Sequence, residues 1–173
     1  MKHPEDELYT DLVPALEARD ASGFADELGQ LAQRVEAGAP VAEVESAYDN
    51  VMAAVETAEG AASAPDAQAL AGIIVNLVST AAEEYDIAVD DDGTVANAHE
   101  YQDALGFVRI AGRQLDDLEA MLGSDDEVVT EMRSQLDGLE SAWPSVVPPE
   151  TVSTDPARLY VAASRLELAA SSL

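Results

Sequence analysis

The residues able to do chemistry in this chain crowd into one short stretch. Between Glu83 and Asp103 stand Glu84, Asp86, Asp90, Asp91, Asp92, Glu100 and Asp103, with His99 among them. Carboxylate oxygens with one imidazole are hard ligands, and such a set suits iron(II), manganese or calcium. Glu84, Asp90, Asp92, His99, Glu100 and Asp103 are therefore the candidate metal ligands. The chain has only two His and no Glu-x-x-His, which excludes the di-iron chemistry of carboxylate bundles. No Ser-His-Asp arrangement and no glycine-rich phosphate loop is recognisable, so neither an enzyme nor a nucleotide-binding protein is expected.

The turn Asp90-Asp91-Asp92-Gly93-Thr94-Val95 partly matches a calcium loop. With Gly93 at position 6 of an EF-hand, Asp90 and Asp92 fall at positions 3 and 5, and Val95 at position 8. Position 12, where a bidentate carboxylate belongs, is His99, and Glu100 comes one place too late. The competing reading is an acidic connection whose Gly takes positive φ and whose Asp side chains cap neighbouring amides. His99, just after Asn97, can equally be a surface residue at a helix start. Each acid can equally belong to a solvated face. That reading is weaker for Glu84 and Glu100, because each precedes a Tyr, Tyr85 or Tyr101, expected to point inward.

Helices must position this turn. Leu70, Ile73, Ile74, Leu77, Val78 and Ala81 recur at helical spacing before it, and Asp66 is a ready N-cap. Tyr101, Ala104, Leu105, Val108, Leu115, Leu118 and Leu122 resume the period over Ala96 to Leu122. So short a connection predicts a central antiparallel helix pair, with Leu70, Ile74, Leu77, Val78, Leu105, Val108, Leu115 and Leu118 among the most buried residues. Upstream, helices are expected over Glu5 to Ala18 with Pro14 inside, Ser22 to Glu36, and Val41 to Glu59. Gly60 to Pro65 is a small-residue linker. Downstream, one helix is expected from Ser124 to about Trp143, with Trp143 a core anchor, and a last one over Pro156 to Ser171. No strand-like alternation occurs. The fold class is all-α, a bundle of six or seven helices, read as one domain over residues 1–173 that belongs to a longer membrane-associated protein.

Composition narrows the function classes. The formal net charge is −27, with 35 acids against 8 bases, and the bases comprise seven Arg and the single Lys2. This is a halophile-type acidic surface, and screening by salt should relieve its self-repulsion. The same charge repels phosphate backbones and anionic bilayers, so nucleic acid and direct membrane insertion are not expected. Divalent cations remain plausible partners. The absence of Cys excludes disulfides and sulfur-based zinc sites. With 47% apolar residues the chain can bury a core. Its longest apolar run, Ala69 to Val75, is far too short to span a bilayer.

The central stretch also resembles a known family. Glu84-Tyr85, Ala88-Val89, Asp92-Gly93, Val95, Asn97, Glu100-Tyr101 and Phe107 are similar to the amino-terminal extracytoplasmic helical domain of bacterial high-affinity iron permeases. The resemblance covers about residues 77–111. The Asp run is one residue longer than the family turn, and the permease portion is absent from this stretch. The resemblance implies a non-catalytic metal-handling domain, outside the membrane, that works with a protein partner in metal uptake or redox and meets iron or another hard divalent cation. A cytoplasmic placement stays open. So do two other readings: a structural or protein-interaction bundle without a metal site, and an acidic turn stabilised by calcium.

Overall fold

The structure, a computed structural model, describes residues 9–173. Seven α-helices lie among the described residues: α1 Thr10–Glu17, α2 Ala25–Glu36, α3 Val41–Glu59, α4 Ala67–Ala88, α5 Ala98–Leu122, α6 Glu127–Asp137 and α7 Ala157–Ala170. The all-α class is as expected. A short 3-10 turn, Glu140–Ala142, follows α6. The chain forms two compact units, the first ending at Ala64 and the second running from Pro65 to Leu173.

In the first unit, α2 packs on α3. Pro14 lies inside α1, as expected. The expected start of that helix at Glu5 lies outside the described residues. The Tyr9 ring meets Phe24 edge-on at 4.9 Å, and the Phe24 amide donates to the Tyr9 hydroxyl at 2.9 Å. Only Leu16, Val51 and Ala58 are buried among the described residues here. Val35, Tyr48 and Met52 are exposed.

The second unit is a closed four-helix arrangement. α4 packs on α5, α5 on α6, α6 on α7 and α7 on α4. Polar caps set the starts, satisfying amides that have no partner within a helix. Asp66 accepts from the Ala69 amide at 2.8 Å, Asn97 from His99 at 3.1 Å, and Asp126 from Val128 at 2.8 Å. Asp155 likewise accepts from Ala157 at 2.8 Å. Gly123, at φ +98°, ends α5. The antiparallel bridge Val89–Val95 reverses the chain between α4 and α5, as an antiparallel pairing requires.

The core is aliphatic and alanine-rich. Ala71, Ala81, Ala82, Ala88, Ala104 and Ala111 are fully buried, which lets the helix axes approach closely. Leu70, Ile74, Val78, Leu115 and Leu118 are buried as expected. Leu77, Leu105 and Val108 instead pack at the margin of the core, and Ile73 is exposed. The buried row of α4 runs 70, 74, 78, 81, 82, 85, so Leu77 falls on its flank and Ile73 outside it. The helix expected to reach Trp143 ends at Asp137. Past Gly138 the chain is pulled into the core instead: the Trp143 indole donates to the Tyr101 carbonyl at 3.0 Å. Arg133 joins α6 to α5 through Asp116 at 2.9 Å and Glu119 at 2.7 Å.

Candidate functional site: the acidic turn and its groove

Two tyrosines from the α4 and α5 ends, with one tryptophan, hold the irregular segment that follows the 3-10 turn. Tyr85 and Tyr101 are fully buried, as their position behind Glu84 and Glu100 predicts. The Tyr85 ring meets Trp143 edge-on at 5.2 Å and lies 6.2 Å from Tyr101. The Tyr85 hydroxyl shares its one proton between the carbonyls of Ala142 at 3.3 Å and Thr154 at 3.4 Å. The Tyr101 hydroxyl donates to the Ser145 carbonyl at 3.3 Å. Burial pushes the Tyr85 hydroxyl up to about 12, with Tyr101 adding to the rise and a hydrogen bond with Thr154 opposing it. These groups bind backbone rather than solvent or ligand, so they position the segment. Trp143 is the core anchor expected of it.

The turn itself is shaped by its own hydrogen bonds. The Gly93 amide donates to the Asp90 carbonyl at 2.8 Å, and the Asp90 amide to the Thr94 carbonyl at 2.9 Å. The Thr94 amide donates to Asp92 Oδ1 at 3.0 Å. Hydrogen bonds from the Thr94 hydroxyl and then its amide hold the Asp92 carboxyl below the usual carboxylate range. Gly93 adopts φ +85°, a region that favours glycine. The carbonyl of Ala88, at position 1 of the calcium-loop register, accepts from the amides of Ala96 and Asn97 at 2.9 and 3.2 Å.

A distant stretch then docks on the turn. The Val95 amide donates to the Glu150 carbonyl at 3.0 Å, the Val152 amide donates to the Gly93 carbonyl at 2.9 Å, and Thr94 bridges Thr151. A β-carbon at Gly93 would stand 2.6 Å from the Val152 carbonyl oxygen, so glycine is also required by this close approach. An open groove of about 1140 Å³ results, lined in part by Asp86, Asp90, Asp91, Asp92, Asp155 and Tyr160. No Lys, Arg or His lines it among the described residues. Burial raises the Tyr160 hydroxyl, as do the charges of Asp86 and Glu83 and a hydrogen bond with Asp86.

The six candidate ligands divide between places. Asp90 and Asp92 line the groove, both exposed. Glu84 lies half-buried in the last turns of α4. His99, Glu100 and Asp103 sit at the start of α5, outside the groove lining, with Asn97 donating to Glu100 at 3.3 Å. Glu84, Glu100 and Asp103 are each engaged with other parts of the chain. No group of three or more His, Asp and Glu able to hold a metal ion occurs among the described residues. Asp155 and Tyr160 were not legible as partners of the turn. The signal was the run Thr151-Val152-Ser153-Thr154 between Pro149 and Pro156, whose β-branched Thr151, Val152 and Thr154 read as extended chain.

A ring of four packed helices, closed at one end by an acidic turn and an aromatic lock, defines an all-α four-helix bundle module. The chain belongs to the iron permease-associated 4-helix bundle domain family, whose model matches residues 60–172. That match spans α4 to α7 entire, well beyond the stretch that carries the resemblance in sequence. No curated protein and no solved structure matches the chain.

Proposed function

We propose that this chain is a non-catalytic metal-handling module of an iron-uptake system, placed outside the membrane, with iron as cargo. The family match over residues 60–172 carries this reading. No helix among the described residues is long and apolar enough to cross a membrane, so a permease partner would supply the path. The chemistry available is a field rather than a cage. Five Asp carboxylates line one open groove on a chain of net charge −27, and such a surface raises the local concentration of cations without fixing any one of them. Weakly held ions exchange quickly, as delivery to a transporter requires.

Calorimetric titration of the chain with manganese(II), anaerobic iron(II) and calcium, at about 0.1 M and about 1 M potassium chloride, tests this. Weak binding of several ions is expected at low salt and should fade at high salt, as the Debye length shrinks from about 10 Å to about 3 Å. Replacing Asp90 and Asp92 together by Asn should weaken it further. One tight ion that survives high salt would instead require a closed site. Heat-silent titrations at both salts would overturn metal handling. The second reading, a protein-interaction bundle, would then stand.

A further inference from the structure

The groove has two walls of like charge held together by very little. One wall is the turn, with Asp90, Asp91 and Asp92, beside Asp86 at the end of α4. The other is the segment leading into α7, with Asp155. Between them run two backbone hydrogen bonds, Val95 to Glu150 and Val152 to Gly93, which together make the single bridge Thr94–Thr151. The deeper ties of the same segment are of another kind. The Trp143 indole bond and the Tyr85 and Tyr101 hydroxyl bonds are buried or partly buried, and uncharged at neutral pH. Screening acts on exposed charges and leaves buried neutral contacts almost untouched. The two sets of ties therefore respond differently to ionic strength.

We propose that the turn at residues 90–95 and the segment at residues 150–155 form an ion-dependent clip. At low ionic strength repulsion between its walls opens the clip locally, and screening or cation accumulation closes it while the four-helix core stays folded throughout. The clip opens by movement of the turn and of the exposed stretch around Thr151, because the aromatic lock keeps Ala142, Ser145 and Thr154 in place. Opening widens the groove and frees the amides of Val95 and Val152. The clip thus couples the ions around the turn to the shape of the end of the bundle. It follows from charge and hydrogen bonding alone, and stands whether or not the module handles iron.

Hydrogen exchange at single amides reads the clip directly, since local opening and global unfolding protect different amides. Val95 and Val152 report the clip, and Val78 and Leu115 report the core. Between about 0.1 M and about 1 M potassium chloride, exchange at the clip amides should slow about tenfold more than at the core amides, the order expected when several exposed like-charge pairs are screened together. Asp91→Asn with Asp155→Asn should reduce that difference to less than about threefold, since Asn still caps α7. Gly93→Ala, which removes no charge, should leave the clip amides fast at both salts. Parallel slowing at all four amides overturns the proposal, and so does a full salt response in the double Asn variant. A Gly93→Ala protein whose clip amides stay slow and salt-responsive also overturns it. Helical circular dichroism checks that each variant folds. If Gly93→Ala does not fold, the comparison of the parent with the double Asn variant decides alone.

Discussion

The two units of this chain carry nearly the same charge on very different interiors. The first 64 residues hold fourteen acids against three bases, and the other 109 hold twenty-one against five. Net charge per residue is therefore almost equal. Burial is not: the first unit buries Leu16, Val51 and Ala58, whereas the second buries a continuous cluster that runs through all four of its helices. Self-repulsion must be offset by apolar contact, and only the second unit has much of it. Acidic composition thus says little about where a protein is robust. The core behind the acids decides that.

The largest effect should come from truncating the interior of the richer unit. Ile74 is fully buried, and Ile74→Ala should cost about 2–5 kcal/mol, the range for a large-to-small core change. Leu12 in α1 is 39% exposed, beside an open apolar groove that Phe24 and Val55 also line. Leu12→Ala should cost less than about 1 kcal/mol, because little area returns to water. Urea denaturation in about 1 M potassium chloride, where repulsion is screened, measures both. Equal costs would show that the first unit has a core as firm as the second.

Salt sharpens the contrast next. At about 0.1 M potassium chloride, where screening is weak, a trace of protease should cut within α1 to α3 well before α4 to α7. At about 1 M the first unit should last several times longer, and the melting temperature of the chain should rise over the same interval. Fragment masses identify the cleaved unit. Cleavage that begins in α5, or a melting temperature that is flat or falls, would break the link between thin core and salt demand.

Much of this fold was legible in sequence, and the failures have physical causes. The bounds of α3, the Asp66 cap and the inward turn of Tyr85 and Tyr101 all rest on local rules of spacing and capping, which need no knowledge of the rest of the chain. The helix expected to reach Trp143 was overextended because the apolar period continues past Gly138, whereas the indole bond to the Tyr101 carbonyl, a tertiary contact, overrides it. Leu77 was read as core because its neighbours are apolar on several sides of α4, so periodicity alone could not fix the rotation of the helix. The groove was half legible: its Asp run is obvious, but Asp155 reaches it only because Thr151 and Val152 pair with Thr94 and Gly93, about sixty residues earlier. No local pattern encodes that pairing.

The smallest effect concerns the aromatic lock, whose counterpart among the described residues of the first unit, the Tyr9–Phe24 pair, is only half-buried. Tyr85→Phe keeps the ring against Trp143 and removes only the donor to Ala142 and Thr154. The cost should be about 1 kcal/mol, the net worth of an ordinary buried hydrogen bond. A pH titration separates this hydroxyl from the rest. Its folded pKa is raised, mainly by burial, from 10.0 to about 12. Above pH 10.0 the unfolded chain therefore loses this proton before the folded one does. The unfolded state then binds fewer protons, so stability falls as pH rises, and this contribution is complete below pH 10.0 and lost on passing through about 12. The parent should lose melting temperature across that window more steeply than Tyr85→Phe. A Tyr85→Phe protein with the parent's alkaline slope would show that the lock is open to water, and the contrast in burial between the two aromatic pairs would fall with it.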